Sequence, residues 1–471
     1  MLQIDTPPPG CTLAHTRGLF TIGRSMKWVG PFFKEYSSHW VGWSRGKDTK
    51  RAAKNYFAGI LLPGKRKNMS SISRRVRLDD NTTQQFISDS PWNGEEVMAT
   101  CLRTMSKKTA NEKGILILDD TGQAKKGNNS PGVQRQYSGT LGKTGNCQVF
   151  VNSTYCIPGQ KRNADIVYWP TGMKMYVPEK WFEDKQRCKK TGIPEDLVFR
   201  TKPQIALELI EKVRKEMVPH QAIIGDAGYG SDSGFRSKLR EWHEPYVLGV
   251  NPSHISVVPE DADIIPAGIK FACGTSRKHP RFPNEIKPKT ANDIASEIPD
   301  EEWNKVIWSE GTKGELSAHF FRMRVRVANN RRPTEETGWL LFEKTKDGGL
   351  KVHICWGFDD HSMEVIVGIA HTRWVVEQAF QQMKSELGLD DFEGRKWKGW
   401  HHHAAMVVIA FCYLMLLRAD GVLSGEKLPS LPHVRREMAR LFVRKGLERK
   451  FNLSPEAADA ALEEMPYLIP E

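Results

Sequence analysis

The sequence predicts an α/β protein: a core of strands and helices with parallel elements, interrupted by a β-rich stretch and flanked by helical segments at both ends. Three observations predict it. Between residues 113 and 250, short apolar runs that end in an acid or a glycine alternate with amphipathic segments, in the order strand, strand, helix, strand, helix, strand. Residues 254–362 carry β-branched and aromatic runs among Pro-rich and charged loops. Residues 1–110 and 418–471 are charged and show helical spacing. With 471 residues, 39% of them hydrophobic and 27% charged, the chain has the composition of a folded protein of roughly three domains.

The elements follow in chain order. Residues 1–110 are expected to form a helical basic module. They hold 18 Lys/Arg against 8 Asp/Glu, or +10 of the net +13. The densest part, Lys47 to Arg77, interleaves cations with Tyr56, Phe57, Ile60, Leu61 and Leu62. A cationic surface of this kind favours a polyanion, and DNA is preferred. Residues 111–253 form the first part of the core. KGILILDDTG is a buried strand ending in acids, and CQVFVNSTYC alternates as a second strand. TKPQIALELIEKVRKEM has a Thr cap, a first-turn Pro and apolar residues at helical spacing. QAIIGDAGYG is a strand closed by an acid and a glycine turn, SGFRSKLREWH a helix and PYVLGVN a strand. Residues 254–362 read as a β-rich insertion. Residues 363–417 complete the core with a long helix, Met363 to about Leu387, and an apolar helix, about His402 to Leu417. Residues 418–471 form a helical tail.

Several classes are set aside. The apolar run Ala404 to Leu417 has 14 residues, short of the ~20 that span a bilayer, and reads as a buried core helix. The N-terminus lacks a signal-peptide pattern, and the eight scattered cysteines form no C-x-x-C pair. A cytoplasmic protein with reduced thiols is expected. SGTLGKT, Ser138 to Thr144, imitates a phosphate-binding P-loop. It has Tyr137 where that loop needs its first Gly, and a strand-like segment follows instead of a helix. No nucleotide cofactor is expected.

Three acids sit where open α/β sheets place their sites, or on a helix that can reach there. Asp119, with Asp120 the alternative, ends the first core strand; Asp226 ends a later one; Glu377 lies in the long helix. Clustered carboxylates repel unless a cation lies between them, and hard oxygen donors suit Mg²⁺ or Mn²⁺. Each acid alone reads equally well as a turn former, a cap or a solvated side chain. Arg373, Glu377 and Lys384 share one helix face, a spacing that also describes an ion-pair ladder.

These residues carry a resemblance. DDTGQAKKG (119–127), QYSGTLGKTGNCQV (136–149), DAGYG (226–230) and RWVVEQAFQQMKSELGLDDFEGRKWKGWHHH (373–403) resemble the DDE transposases of bacterial insertion sequences. The resemblance implies a ribonuclease-H-like catalytic core with a β-rich insertion, a helical N-terminal DNA-binding region and a helical C-terminal tail. It implies that Asp119, Asp226 and Glu377 hold two Mg²⁺ ions, with Mn²⁺ as substitute. Thr121, one residue past the pair of acids, favours Asp119 over Asp120. Arg373, Glu377 and Lys384 match an arginine–glutamate–lysine signature, whereas the tyrosine expected three residues before the arginine is Ala370 here. The implied activity is cleavage of element ends and joining of the 3′ hydroxyl to target DNA, by a homodimer on double-stranded DNA at the bacterial nucleoid. A nuclease that cuts without joining, and an inactive DNA-binding derivative, remain alternatives.

Further DNA contacts are expected from Lys65, Arg66, Lys67, Arg74 and Arg75 in the basic module and from Lys125, Lys126 and Lys143 in loops past the first acids. Arg395, Lys396, Trp397, Lys398, Trp400 and His401 interleave cations with aromatics in a way that suits a DNA backbone or an unstacked base. His401, His402 and His403 are consecutive on a helix and cannot converge on one metal. Trp303, Trp308 and Trp339 are better placed in packing than in base stacking.

Overall fold

A computed structural model describes residues 29–40, 49–76, 79–139, 142–158, 166–269, 276, 278–311, 314–423 and 429–464. Lys47 and Arg77, which bound the basic stretch, lie outside these residues, as do the N-terminal 28 and Cys11 and Cys273. The other six cysteines are free thiols.

Five helices come first: α1 (Val29–Glu35), α2 (Thr49–Leu61), α3 (Met69–Val76), α4 (Asp80–Ser88) and α5 (Gly94–Thr109). They pack on one another through Phe33, Trp40, Phe57, Phe86 and Trp92. Asn93 starts α5 by accepting hydrogen bonds from the Glu95 and Glu96 amides, a cap worth about 1 kcal/mol.

The sheet begins with β1 (Ile115–Ala124), β2 (Gln134–Ser138), β3 (Lys143–Ile157) and β4 (Val167–Tyr176). Short helices α6 (Lys180–Glu183) and α7 (Lys185–Thr191) lead to α8 (Lys202–Lys215), β5 (Ala222–Gly225), the single turn α9 (Ala227–Gly230), α10 (Ser233–Glu241) and β6 (Tyr246–Val250). Ile115 to Leu118 are all sealed from solvent, as befits a strand covered on both faces. The cap expected at Thr201 forms, as a capping box with Gln204. β1, β5 and β6 run parallel, while β3 lies antiparallel to β1 and β4 antiparallel to β3. The spatial order β4-β3-β1-β5-β6 and the parallel register of β1 on β5 therefore set the end of β5 beside the middle of β1, where Asp119 lies.

β4 is an element that the sequence did not announce. VYWPTGMKMY contains a Pro and a Gly and lacks clean alternation, which hides its strand character. A register shift between Ser153 and Thr154 of β3 absorbs the irregularity.

Residues 254–362 do contain strands, but they do not stand apart. β7 (Ser256–Pro259), β8 (Lys289–Thr290), α11 (Ala291–Glu297), β9 (Asn304–Gly311), β10 (Gly314–Asn329), β11 (Arg332–Lys344) and β12 (Leu350–Trp356) follow in order. β12 pairs antiparallel with β6, so these strands extend the core sheet to 12 strands.

The expected long helix from Met363 is two helices. α12 (Met363–Ala370) and α13 (Trp374–Ser385) are separated by a 3₁₀ turn at His371–Arg373. The tightened turn re-aims the second helix across β1 and β4. α14 (Trp397–Leu423) is longer than the apolar run suggests. Its Trp397–Ala419 portion has the length and apolarity to cross a membrane, yet 89% of its most apolar 18-residue stretch is buried in the protein. It lies between α2, α4, α5 and β4 and forms the spine of the core. α15 (Leu431–Phe451) and α16 (Pro455–Glu464) complete the described chain.

Candidate active site

The two adjacent acids of β1 point to opposite faces, as strand geometry requires. Asp120 pairs with Lys202 at the start of α8. Asp119 faces α13, where Arg373 Nη1 donates to its Oδ2 at 2.9 Å. The same guanidinium donates from Nη2 to Glu377 Oε1 at 2.8 Å. One arginine thus bridges a strand acid and a helix acid that lie far apart in the chain.

Asp226 joins this rim from β5. It caps α9 by accepting the Gly228 amide at 2.9 Å. The turn is tight because Gly230 packs on β6; a Cβ on Gly230 would stand 1.9 Å from the Gly249 carbonyl oxygen. The DAGYG segment therefore needs its last glycine to hold Asp226 at the strand end.

The electrostatics are strained by design of the fold. Burial pushes the Asp119 carboxyl up to about 7; Arg373 opposes that rise and Asp226 adds to it. Beneath the acids, burial raises the Tyr229 hydroxyl well above its usual range, and all three Asp side chains push it further. Glu377 is the open member, with its side chain 61% exposed.

Asp226, Arg373 and Glu377 line a cavity of about 960 Å³ whose far wall is built from Trp308, His353 and Glu343. His371 stacks on Trp308 with ring centroids 3.7 Å apart, and its Nε2 stands 3.4 Å from Glu343 Oε2. Burial alone would raise the Glu343 carboxyl; His371 and Lys351 hold it below the usual range. His353, half-buried in that wall, is pushed down to about 4 by burial. No local signal marked Lys202, His371 or Glu343 beforehand: a first-turn lysine, a histidine after a helix and a strand glutamate are ordinary until distant elements meet.

The donor set is carboxylate oxygen, the kind that a hard divalent cation takes. Among the described residues no three His, Cys, Asp or Glu side chains are grouped closely enough, as placed, to hold one ion. Arg373 occupies the position between Asp119 and Glu377.

The expected DNA contacts divide. Lys65, Arg66, Arg74, Lys126, Lys143, Arg395, Lys396 and Lys398 are exposed. Arg66 also pairs with Glu393 at 3.3 Å, and Lys396 donates to the Lys190 carbonyl. Lys384 is two-thirds buried and donates to the Gly122 carbonyl at 3.3 Å, so it braces α13 on β1. Arg75 is half-buried and donates to the Arg66 carbonyl.

Three expectations are corrected. Lys67 is 3% exposed and donates to the Ile60 carbonyl; burial pushes its ammonium down to about 7. Lys125 donates to the Phe392 carbonyl at 2.8 Å and is pushed down to about 8. His401 is buried against the Trp397 carbonyl and pushed down to about 4, which leaves it neutral and inside. In each case a backbone carbonyl satisfies a polar tip while its stem packs among apolar neighbours. Trp397 is half-buried beside His401, and Trp400 stacks on Phe150 at 3.9 Å. Trp303 is buried, and Trp339 lies under Arg322 and Arg324.

The family described as DDE superfamily endonuclease matches residues 44–315. A probable transposase for insertion sequence element IS701 of Microchaete diplosiphon is 26% identical over 345 residues, covering 72% of this chain and 76% of its own. A cryo-EM structure of the piggyBac transposase synaptic complex with hairpin DNA covers 92% of this chain and 79% of its own, at 10% identity and a TM-score of 0.45.

Proposed function

The chain belongs to the DDE superfamily endonuclease family, and on that premise we propose that it is the DNA transposase of an insertion sequence. The observation that carries the reading is the Arg373 bridge, which gathers Asp119 of β1 and Glu377 of α13 at the rim that Asp226 of β5 completes. The sheet order, with antiparallel strands on one side of β1 and parallel strands on the other, supports a ribonuclease-H-like core.

Asp119, Asp226 and Glu377 would hold two Mg²⁺ ions, with Mn²⁺ as substitute. Bound there, the ions supply Lewis-acid activation of the attacking oxygen and charge neutralisation at the phosphodiester. Arg373 offers a planar, two-pronged donor to a phosphate at the same rim. Lys384 fixes α13 on β1 and so sets the position of Glu377. The helical N-terminal region, with Lys65, Arg66 and Arg74 exposed, binds the terminal repeats. A dimer brings two ends together, water cuts each end, and the freed 3′ hydroxyl attacks target DNA. The protein acts in the bacterial cytoplasm at the nucleoid.

The test uses labelled DNA flanking the gene as substrate, with purified protein and Mg²⁺, wild type against Glu377→Gln. Nicked ends and joined products, both lost in the variant, support the proposal. Nicks without joining point to a nuclease. Binding with no cleavage by either protein, where a control transposase cuts, points to an inactive DNA-binding derivative.

A further inference from the structure

Residues 134–139 and 142–146 build a feature that the cutting chemistry leaves unused. β2 pairs with Lys143–Cys147 of β3, and β1 ends its ladder at Ala124 opposite Cys147. Lys125 and Gly127 still hold Asn146 one residue beyond that rung; past it the two strands run on as a narrow ribbon, with neither β1 nor β4 beside Lys143–Thr144. Arg135, Tyr137, Lys143 and Thr144 are exposed, Tyr137 to 65%. An exposed aromatic of that size on a projecting strand lacks a packing role. Gly139 and Gly142 stand in open space, and Gly142 takes φ +60°, which suits a tight return.

The ribbon is cationic without compensation. Its residues include two cations, Arg135 and Lys143, and no Asp/Glu. Cross-strand pairing places Tyr137 beside Thr144 and Arg135 beside Asn146, so Arg135 and Tyr137 project from one face of the ribbon. A two-stranded ribbon fits the major groove, where an arginine fork reads guanine and polar side chains read neighbouring base edges.

Resting on the transposase reading, we infer that this ribbon is a sequence-reading element that enters the major groove of the element's terminal duplex. Its distance from the cut is set by β3. Thr144 lies opposite Tyr137 and Asn152 opposite Asp119, eight residues further along the same strand. At ~3.4 Å per residue that is about 27 Å, or about eight base pairs of duplex at 3.4 Å each. Because one continuous strand carries both ends of this ruler, the offset is fixed. The duplex that reaches Asp119 first is the one to be cut, which commits the ribbon to the terminal repeat over the target.

The test uses full-length protein and terminal duplexes in which each base pair is changed in turn. Wild type is expected to show a base preference and hydroxyl-radical protection centred about eight base pairs from the cut. Arg135→Ala with Tyr137→Ala is expected to lose that protection, flatten that preference and bind roughly tenfold more weakly. Its protection elsewhere and its melting temperature should match wild type. Unchanged protection at that position, equal losses at every position, or a loss confined to the target duplex would overturn the inference. A wild-type protein that neither binds nor cuts terminal DNA would overturn the transposase reading along with it. Wild-type cutting with no ribbon footprint would overturn the ribbon alone.

Discussion

Asp119 and His403 are both nearly sealed from solvent, one on an inner strand of the sheet and the other within α14. His403 is fully served. Its Nε2 donates to the Gly388 carbonyl at 2.9 Å, its Nδ1 accepts from the Tyr56 hydroxyl at 2.8 Å, and Phe392 stacks on the ring. Asp119 accepts the Asp120 amide on one oxygen at 2.8 Å, but its other oxygen faces Arg373, which it shares with Glu377 while Asp226 repels it. A buried polar group whose partners are backbone atoms and neutral side chains holds the fold together. One whose neighbours are further charges stores the potential for chemistry.

The largest effect that would break this contrast concerns the rim. Asp226→Asn and Glu377→Gln are expected to cut end cleavage by about a thousandfold or more, with terminal-repeat binding close to wild type in a gel-shift titration. A folded variant that still cleaves would refute the assignment. The adjacent pair sharpens it. Asp119→Asn should match those losses, whereas Asp120→Asn, which breaks only the contact with Lys202, should stay within about tenfold of wild type. Equal losses from both would show that the two faces of β1 are not distinct.

On the other side of the comparison, His403→Phe should cost about 2 kcal/mol in denaturant unfolding, because it leaves the Tyr56 hydroxyl without its partner and the Gly388 carbonyl with only the Asp391 amide. The folded fraction should still cleave. The same ring has a pH signature. Burial pushes His403 down to about 4 from its ordinary 6.5, so between those values the unfolded chain binds the extra proton. Stability is therefore present above about 6.5 and is lost as pH falls toward 4. The variant should show a shallower fall than wild type across that window, and parallel curves would contradict the placement. The smallest effect is at the surface: Lys126→Ala should reduce the salt slope of DNA binding by about one, with cleavage at saturating DNA unchanged.

The contrast also explains what could be read in advance. The strands that carry Asp119 and lead to Asp226 were legible because apolar runs closed by acids or glycine have few other readings, although β1 runs on past its acids to Ala124, and the Thr201 cap was legible because its chemistry is local. β4 escaped because Pro170 and Gly172 break its pattern. The break at His371–Arg373 escaped because no Pro or Gly stands in that turn. Lys67, Lys125 and His401 were misread for one reason: a cation's exposure depends on whether a distant carbonyl is within reach. Ile60 lies seven residues from Lys67, but Phe392 lies 267 from Lys125, beyond any local pattern.

The rung between β6 and β12 has a consequence for anyone trimming the molecule. Residues 254–362 look excisable in the sequence, a passenger between two halves of a core. In the fold they close the open flank of β6 through Tyr246–Val250 and Trp356–Val352. Removing them would bare a row of amide and carbonyl groups one strand away from β5, with nothing to blunt it. The product would be a sticky template for its own copies, and a smaller working enzyme would have to carry a replacement hem.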